Sequence, residues 1–217
     1  MTDASFPRLS PATIADSPAP DNDDSHIVGI LLAAGTSSRF GERNKLLADL
    51  DGEPVVRAAA RTLLDAPVSE VIAVVGYEDQ SVRETLADLE LRVVFNSDYE
   101  VGLSTSVAQG VSAADAVNAE AVVFLPGDMP WVDPATVVLL IDAYRAGWAT
   151  ALAAAYDGRR GHPVLFDRKY FDALQDVDGD VGGRTVLLES DESALVETGD
   201  PGVIKDIDTT DDLRRHR

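Results

Sequence analysis

The chain has 217 residues, 45% of them hydrophobic, and carries 38 acidic against 18 basic side chains for a formal charge of −20. That much apolar material can build one core of ordinary domain size, while so negative a surface would repel the phosphates of nucleic acid. There is no cysteine, which excludes disulfides, thiolate metal sites and cysteine nucleophiles.

The apolar residues come in short runs, none near the roughly 20 residues needed to span a bilayer. The N-terminus lacks a basic-then-apolar leader, so a cytoplasmic protein with no membrane partner is expected. Lys45, Lys169 and Lys205 are the only lysines, the remaining cations being arginine. An acidic, lysine-poor surface suits a halophilic setting, where a Debye length of about 3 Å at 1 M salt screens self-repulsion. The plainer reading is a surface kept acidic for solubility.

In chain order, residues 1–25 read as a disordered acidic tail, since the stretch SPAPDNDDS from Ser17 to Ser25 offers prolines and acids and little to bury. One domain is expected over 26–217. It opens with Ile27–Ala33 (IVGILLA), a continuous apolar run that reads as a strand buried on both faces. Pro54–Leu64 has helical spacing with proline at its start. Val71–Val75 reads as a strand, Gln80–Leu89 as a helix, and Arg92–Phe95 as a third strand. Ser104–Ala116 is a helix led by the capping types Ser104, Thr105 and Ser106. Ala121–Leu125 is a fourth strand and Pro134–Arg145 a helix. Thr150–Ala155, Pro163–Phe166 and Val203–Ile207 are further strand candidates, Val181–Leu188 a short helix, and Asp211–Arg214 the start of a terminal helix. Strands alternating with helices imply right-handed βαβ units and an α/β fold, with a mostly parallel sheet covered by helices on both faces. Ligands of such sheets lie at the C-terminal ends of the strands, which directs attention to Gly35–Lys45, Gly76, Asn96, Gly127 with Asp128, and Asp208.

Four segments carry usable chemistry. The first is LLAAGTSSRFG, from Leu32 to Gly41, followed by Lys45. Its small residues let backbone approach a phosphate and form an anion-binding nest, and Arg39 and Lys45 add positive charge to an acidic protein. It is neither a Walker loop nor G-x-G-x-x-G, and a structural turn is its plain alternative. The second is LPGDMP, which puts Asp128 at a strand end where Mg²⁺ could join it to a bound triphosphate; alternatively Asp128 caps a turn. The third, DIDTTDD from Asp206 to Asp212, sets Asp206 and Asp208 on one side of an extended segment. Either could be a second Mg²⁺ ligand, or Asp208 and Thr209 could simply cap the terminal helix. The fourth pairs GRRGHPVLF (Gly158–Phe166) with DGDVGGR (Asp178–Arg184), two turns suited to an anionic acceptor; His162 could equally be a turn histidine bonded to backbone.

Together, LLAAGTSSRFG…K, LPGDMP, GRRGHPVLF, GDVGGR and DIDTTDD resemble the MobA-like NTP-transferase family. Their order and spacing are closest to its molybdenum cofactor cytidylyltransferase branch, over roughly His26 to Asp212. The resemblance implies a Rossmann-like nucleotidyltransferase domain and an Mg²⁺ cofactor. It implies that Leu32, Ala33, Ala34 and Gly35 meet base and ribose, and that Thr36 and Ser37 lie beside them in the nucleotide loop. Arg39 and Lys45 would neutralise the triphosphate, and Asp128 and Asp208 would hold the metal; these four are the catalytic set. Asn96, Ser106 and Gly110 would be nucleotide neighbours. Gly161, His162, Asp180, Gly182 and Arg184 would face the acceptor, a molybdopterin phosphate in that branch. The Ala33-Ala34-Gly35 form favours CTP over GTP. A molybdoenzyme or its maturation chaperone would receive the product. Three rivals stay open: a sugar- or polyol-phosphate nucleotidyltransferase, a non-catalytic nucleotide-binding module, and a hydride-transfer enzyme, the last opposed by the missing G-x-G-x-x-G.

Overall fold

The computed structural model describes residues 6–17, 25–41, 43–177, 179 and 182–215. In chain order its elements are β1 (Arg8–Leu9), α1 (Pro11–Ala15), β2 (Ile27–Ala33), β3 (Asp49–Leu50), β4 (Glu53–Pro54), α2 (Val55–Leu64), β5 (Glu70–Val75), α3 (Asp79–Leu86), β6 (Arg92–Phe95), α4 (Leu103–Asp115), β7 (Ala121–Pro126), α5 (Pro134–Arg145), β8 (Ala151–Tyr156), β9 (Arg159–Asp167), α6 (Phe171–Gln175), α7 (Arg184–Glu189), β10 (Ser193–Glu197) and α8 (Thr210–Arg215). Among the described residues eight strands form one sheet in the order β1-β10-β8-β9-β7-β2-β5-β6, and β3 and β4 form a separate small hairpin. Neighbouring strands of the large sheet run parallel except at β9, which is antiparallel to both β7 and β8. The α/β fold with a mostly parallel, helix-covered sheet is as the strand–helix alternation predicts.

Both faces of the central strands are buried, which is why they read as unbroken apolar runs. Along β2, Ile27, Leu31 and Ala33 join a cluster with residues of α2, α3 and α5, while Val28 and Ile30 join a second cluster with α4 and α6. The alternation is that of an extended chain. Glycine at 110 lets α4 lie close to the sheet, since a Cβ there would come within 2.7 Å of Ile30 Cγ2.

The reversal into β9 has a local cause. Asp157 and Gly158 both have positive φ, 50° and 73°, between the paired residues Tyr156 and Arg159. That is the geometry of a two-residue turn matched to strand twist, for which Asp-Gly is a favoured pair. Because β9 runs against its neighbours, its first residues lie where the parallel strands end.

Three expectations need correction. Residues 6–17 are not a disordered tail: β1 pairs in parallel with β10, Ser10 caps α1 through the Thr13 amide, and Phe6, Leu9 and Ile14 are buried. The Trp148 indole donates to Ser17 Oγ at 2.7 Å. Three apolar side chains spaced through this segment suffice to order it, and its weak overall hydrophobicity concealed them. Residues 1–5 and 18–24 of the expected tail lie outside the described residues. The strand expected at Val203–Ile207 is instead a 3₁₀ turn, Pro201–Ile204, followed by extended chain; Asp200 caps it by accepting from the Gly202 amide at 2.7 Å, and Pro201 favours a helical start. The sheet position is filled by β10, whose SALVE sequence is buried at four of its five residues. The expected helix at 181–188 appears as α7 from Arg184, Val181 lying outside the described residues.

Truncating Ile14, 6% exposed, should therefore destabilise the protein. Ile14→Ala is expected to cost about 2 kcal/mol, the low end for a buried isoleucine, in a urea unfolding titration; a disordered segment would give no change.

Candidate active site

The first component is the loop that leaves β2. Ser37 adopts a positive φ of 55° and Gly41 one of 103°, so the chain turns sharply. The fold is pinned by Asn44, a buried side chain that sequence reasoning overlooked. Its Oδ1 accepts from Ser37 Oγ and from the Leu46 amide, each at 3.1 Å, while Ser37 Oγ accepts from the Lys45 amide at 3.1 Å. Asn44 thus caps the 3₁₀ turn Lys45–Leu47 and fixes where the Lys45 side chain begins. An asparagine directly before Lys-Leu-Leu was the available signal.

The second component is the end of β7. The Gly127 amide donates to Leu32 O at 2.8 Å, and a Cβ at 127 would come within 3.2 Å of that oxygen. This glycine brings Asp128 beside the loop. The third component arrives from the far end of the chain. The Ile207 amide donates to the Asp128 carbonyl at 2.9 Å, which holds Asp206, Ile207 and Asp208 alongside Asp128. The approach also depends on Gly161, where a Cβ would sit 1.8 Å from Val203 O, so the turn 201–204 can cross β9 only over a glycine.

The result is a compact charge cluster. Lys45 Nζ lies 2.5 Å from Asp128 Oδ2 and 3.1 Å from Asp208 Oδ1, and Arg39 NH1 lies 2.7 Å from Asp208 Oδ2. Asp128, Asp206 and Asp208 each offer an oxygen within 4.8 Å of the others. Burial works against the Lys45 charge, but Asp128 and Asp208 outweigh it and hold its pKa above the usual lysine value. Asp206 is pushed the other way from an ordinary carboxylate, its pKa raised first by burial and then by the charges of Asp128 and Asp208. Three carboxylates with hard oxygen donors suit Mg²⁺ or Mn²⁺, and Lys45 shows that a cation is already accommodated between two of them.

These groups border a cleft of about 620 Å³ at the C-terminal edge of the sheet. The structure brings Leu32, Ala34, Gly35, Thr36, Ser37, Arg39, Lys45, Ser106, Asp128, Gly161, His162 and Asp208 to its walls, together with Asp206, Tyr99 and Leu103. It does not bring Ala33, Asn96 or Gly110 there. Ala33 is 1% exposed in the core. Asn96 is fully buried and donates to Thr105 Oγ1 and Ser106 Oγ at 2.9 and 3.0 Å, so it positions the Ser106 side chain. Gly110 packs on Ile30 and Val74. A second, smaller cavity of about 250 Å³ adjoins the first. It shares Leu32, Leu103, Arg160, Gly161 and His162, and is walled by Phe124, Val164, Phe166, Gly182, Gly183 and Arg184. Gly182 and Arg184 thus line this second cavity, whereas Asp180 lies outside the described residues. Burial pushes the His162 pKa down to about 4; Asp128 opposes that shift and Arg160 adds to it.

A parallel α/β sheet with a glycine-rich cationic loop facing a carboxylate cluster defines a nucleotide-handling enzyme of nucleotidyltransferase type. The profile of the MobA-like NTP transferase domain matches residues 29–194, and the chain belongs to that family. Among curated proteins it is 33% identical over 205 residues to the nicotine blue oxidoreductase of Paenarthrobacter nicotinovorans, covering 90% of this chain and 98% of that one. It is 28% identical to the purine catabolism protein PucB of Bacillus subtilis, covering 86% and 94%. It is also 28% identical to a probable molybdenum cofactor guanylyltransferase of Natronomonas pharaonis, covering 87% and 96%. Among solved structures, Rv0371c of Mycobacterium tuberculosis superposes with a TM-score of 0.77 at 28% identity over 88% of this chain and 97% of that one, and its manganese complex with 0.73. A nucleotidyl transferase of Methanothermobacter gives 0.74 at 26% identity, covering 88% and 96%.

Burial first, and then the charges of Asp128 and Asp208, raise the Asp206 pKa, which yields a test in the metal-free protein. Asp206→Asn removes repulsion and should raise the Tm slightly in EDTA, by no more than about 0.5 kcal/mol in stability, while weakening Mn²⁺ binding. A lower Tm in EDTA would show that Asp206 is a net stabilising partner.

Proposed function

We propose that the protein transfers an NMP from an NTP, with CTP the favoured donor, to a phosphorylated acceptor of which molybdopterin is the first candidate, and releases pyrophosphate. The observation that carries this reading is Lys45 seated between Asp128 and Asp208, opposite the glycine-rich loop. Lys45 and Arg39 are cations of the cleft suited to a triphosphate laid along that loop, and the carboxylates are the groups that would hold Mg²⁺ against it. A bound divalent ion would supply charge neutralisation and a template for the phosphates.

In the proposed step an acceptor phosphate oxygen attacks the α-phosphorus in line. The new P–O bond forms as the bond to the bridging oxygen of the β-phosphate breaks, and pyrophosphate leaves with the charge. The acceptor oxygen is already anionic, so no side chain need take a proton. The protein's part is positioning and countercharge: Lys45 and Arg39 turn from the carboxylates to the leaving pyrophosphate, and the backbone of the loop approaches the phosphates. The acceptor reading draws on the second cavity. Its walls of Phe124, Phe166 and Val164 suit a flat ring system better than a polyhydroxylated sugar, and Arg160 and Arg184 stand at hand for an anionic group.

The test is pyrophosphate release with CTP, GTP and UTP against molybdopterin and sugar- or polyol-phosphate acceptors, with NAD(P)H oxidation followed in parallel because one relative bears an oxidoreductase name. Turnover should be greatest with CTP and molybdopterin. Asp128→Ala should abolish it without unfolding the protein, and Lys45→Met should slow it by about 10²–10³, as for loss of one preorganised donor. NAD(P)H oxidation without pyrophosphate release, or unaltered turnover in Asp128→Ala, would overturn the assignment.

A further inference from the structure

Besides its two large cores the molecule has a third, small apolar cluster. Phe40, Leu50, Val55 and Ile207 are its buried members, and Ala48, Trp131 and Leu213 pack on it. Two of its four buried members, Phe40 and Ile207, directly adjoin charged residues of the site, and the three residues packed on it lie within five residues of one. Phe40 follows Arg39. Ile207 stands between Asp206 and Asp208. Ala48 follows the turn that starts at Lys45, and Trp131 comes shortly after Asp128. Leu213 belongs to α8, which begins just past Asp208.

Ile207 has no exposed surface, although its neighbours are half-exposed at 208 and exposed at 206. In extended chain, alternate side chains point to opposite sides, so burying Ile207 turns both neighbouring carboxylates toward the cleft. The same residue's amide donates to the Asp128 carbonyl at 2.9 Å. One residue therefore fixes the height of Asp206 and Asp208 against Asp128 through its backbone, and their direction through its side chain. Phe40, 7% exposed, packs in the same plug and carries Arg39, whose guanidinium meets Asp208 at 2.7 Å.

We propose that Ile207 and Phe40 are positioning residues: the plug they form locks the C-terminal carboxylates and the cationic loop into one unit, and so sets the affinity for the divalent ion and the nucleotide. The inference rests on the metal-dependent reading above. Without the plug, mutual repulsion among three carboxylates would swing the 205–209 segment away from Asp128. Loss of groups that hold ligands in place typically costs about 10–100-fold in metal affinity or activity, and a misplacement of about 1 Å can cost about 10²-fold in rate.

The test is Mn²⁺ titration followed by electron paramagnetic resonance, with and without CTP, on wild type, Ile207→Ala, Ile207→Val and Phe40→Ala, each with its Tm. Ile14→Ala serves as a core truncation in a different cluster. Ile207→Ala and Phe40→Ala should weaken Mn²⁺ binding in the presence of CTP by about 10–100-fold, and CTP binding measured with Mn²⁺ should weaken in parallel. Ile207→Val should restore affinity to within about threefold, and Ile14→Ala should bind as wild type does. If Ile207→Ala fails to fold, Phe40→Ala decides. Wild-type affinity in the plug variants, or a loss that Ile14→Ala matches, overturns the positioning role while leaving the metal site intact. A wild-type protein that binds no Mn²⁺ with CTP instead removes the underlying reading, and this one with it.

Discussion

The site depends on placing three carboxylates close enough to share an ion without letting them drive the chain apart. At separations of a few ångströms, repulsion between two carboxylates is on the order of a few kcal/mol at the effective dielectric near a protein surface. Lys45 answers part of it, meeting Asp128 and Asp208 together, and Arg39 answers another part at Asp208. The ions that neutralise the acids in this state are the ones suited to neutralise a triphosphate. On the proposed reading the two ligands would assist one another: a divalent ion among the carboxylates would release Lys45, and phosphates at the loop would receive Lys45 and Arg39.

The fold delivers these groups by an economy of direction. Parallel strands end on one edge of the sheet, so the loops after β2 and β7 open there together. The antiparallel β9 adds its first residues to the same edge, which is how Arg160, Gly161 and His162 come to border both cavities. The C-terminal segment needs a crossing rather than a strand. Glycines at 161 and 202 supply it, since a Cβ at either would lie about 2 Å from a backbone oxygen, of Val203 or Trp131. Asp200 anchors the crossing turn from the other side, accepting from the Asp133 amide and from Thr136 Oγ1 at 2.9 Å each.

Much of this was legible in the sequence, where chemistry and pattern coincide. The run IVGILLA could only be a strand covered on both sides, and Gly35, Arg39, Lys45 and Asp128 follow strand ends where such sheets bind ligands. What was not legible depended on tertiary context. Val203–Ile207 looks like a strand by composition, but Pro201 and the Asp200 cap start a 3₁₀ turn instead. From the residues alone Asp206 and Asp208 were equivalent candidates, the family resemblance favouring Asp208, and the structure keeps both in the cluster. Asn96 and Gly110 occupy positions in the motif order that suggest ligand contact, yet one is a buried staple for Ser106 and the other a packing glycine. The Phe6, Leu9 and Ile14 spacing was present as a signal and outweighed by the acidic, proline-rich stretch that follows it.

His162 shows why the two cavities behave as one site with two characters. It borders both, and its pKa, pushed down to about 4 mainly by burial, leaves the ring neutral throughout the physiological range. A neutral ring at the junction can donate or accept a hydrogen bond without adding to the charge that Lys45 and Arg39 already balance against the carboxylates. A cationic histidine there would compete with any divalent ion for Asp128, the carboxylate whose field acts on it. On one side of this junction lie the carboxylates with Lys45 and Arg39, on the other the aromatic walls of Phe124 and Phe166, and the neutral imidazole joins the two without altering the charge balance between them.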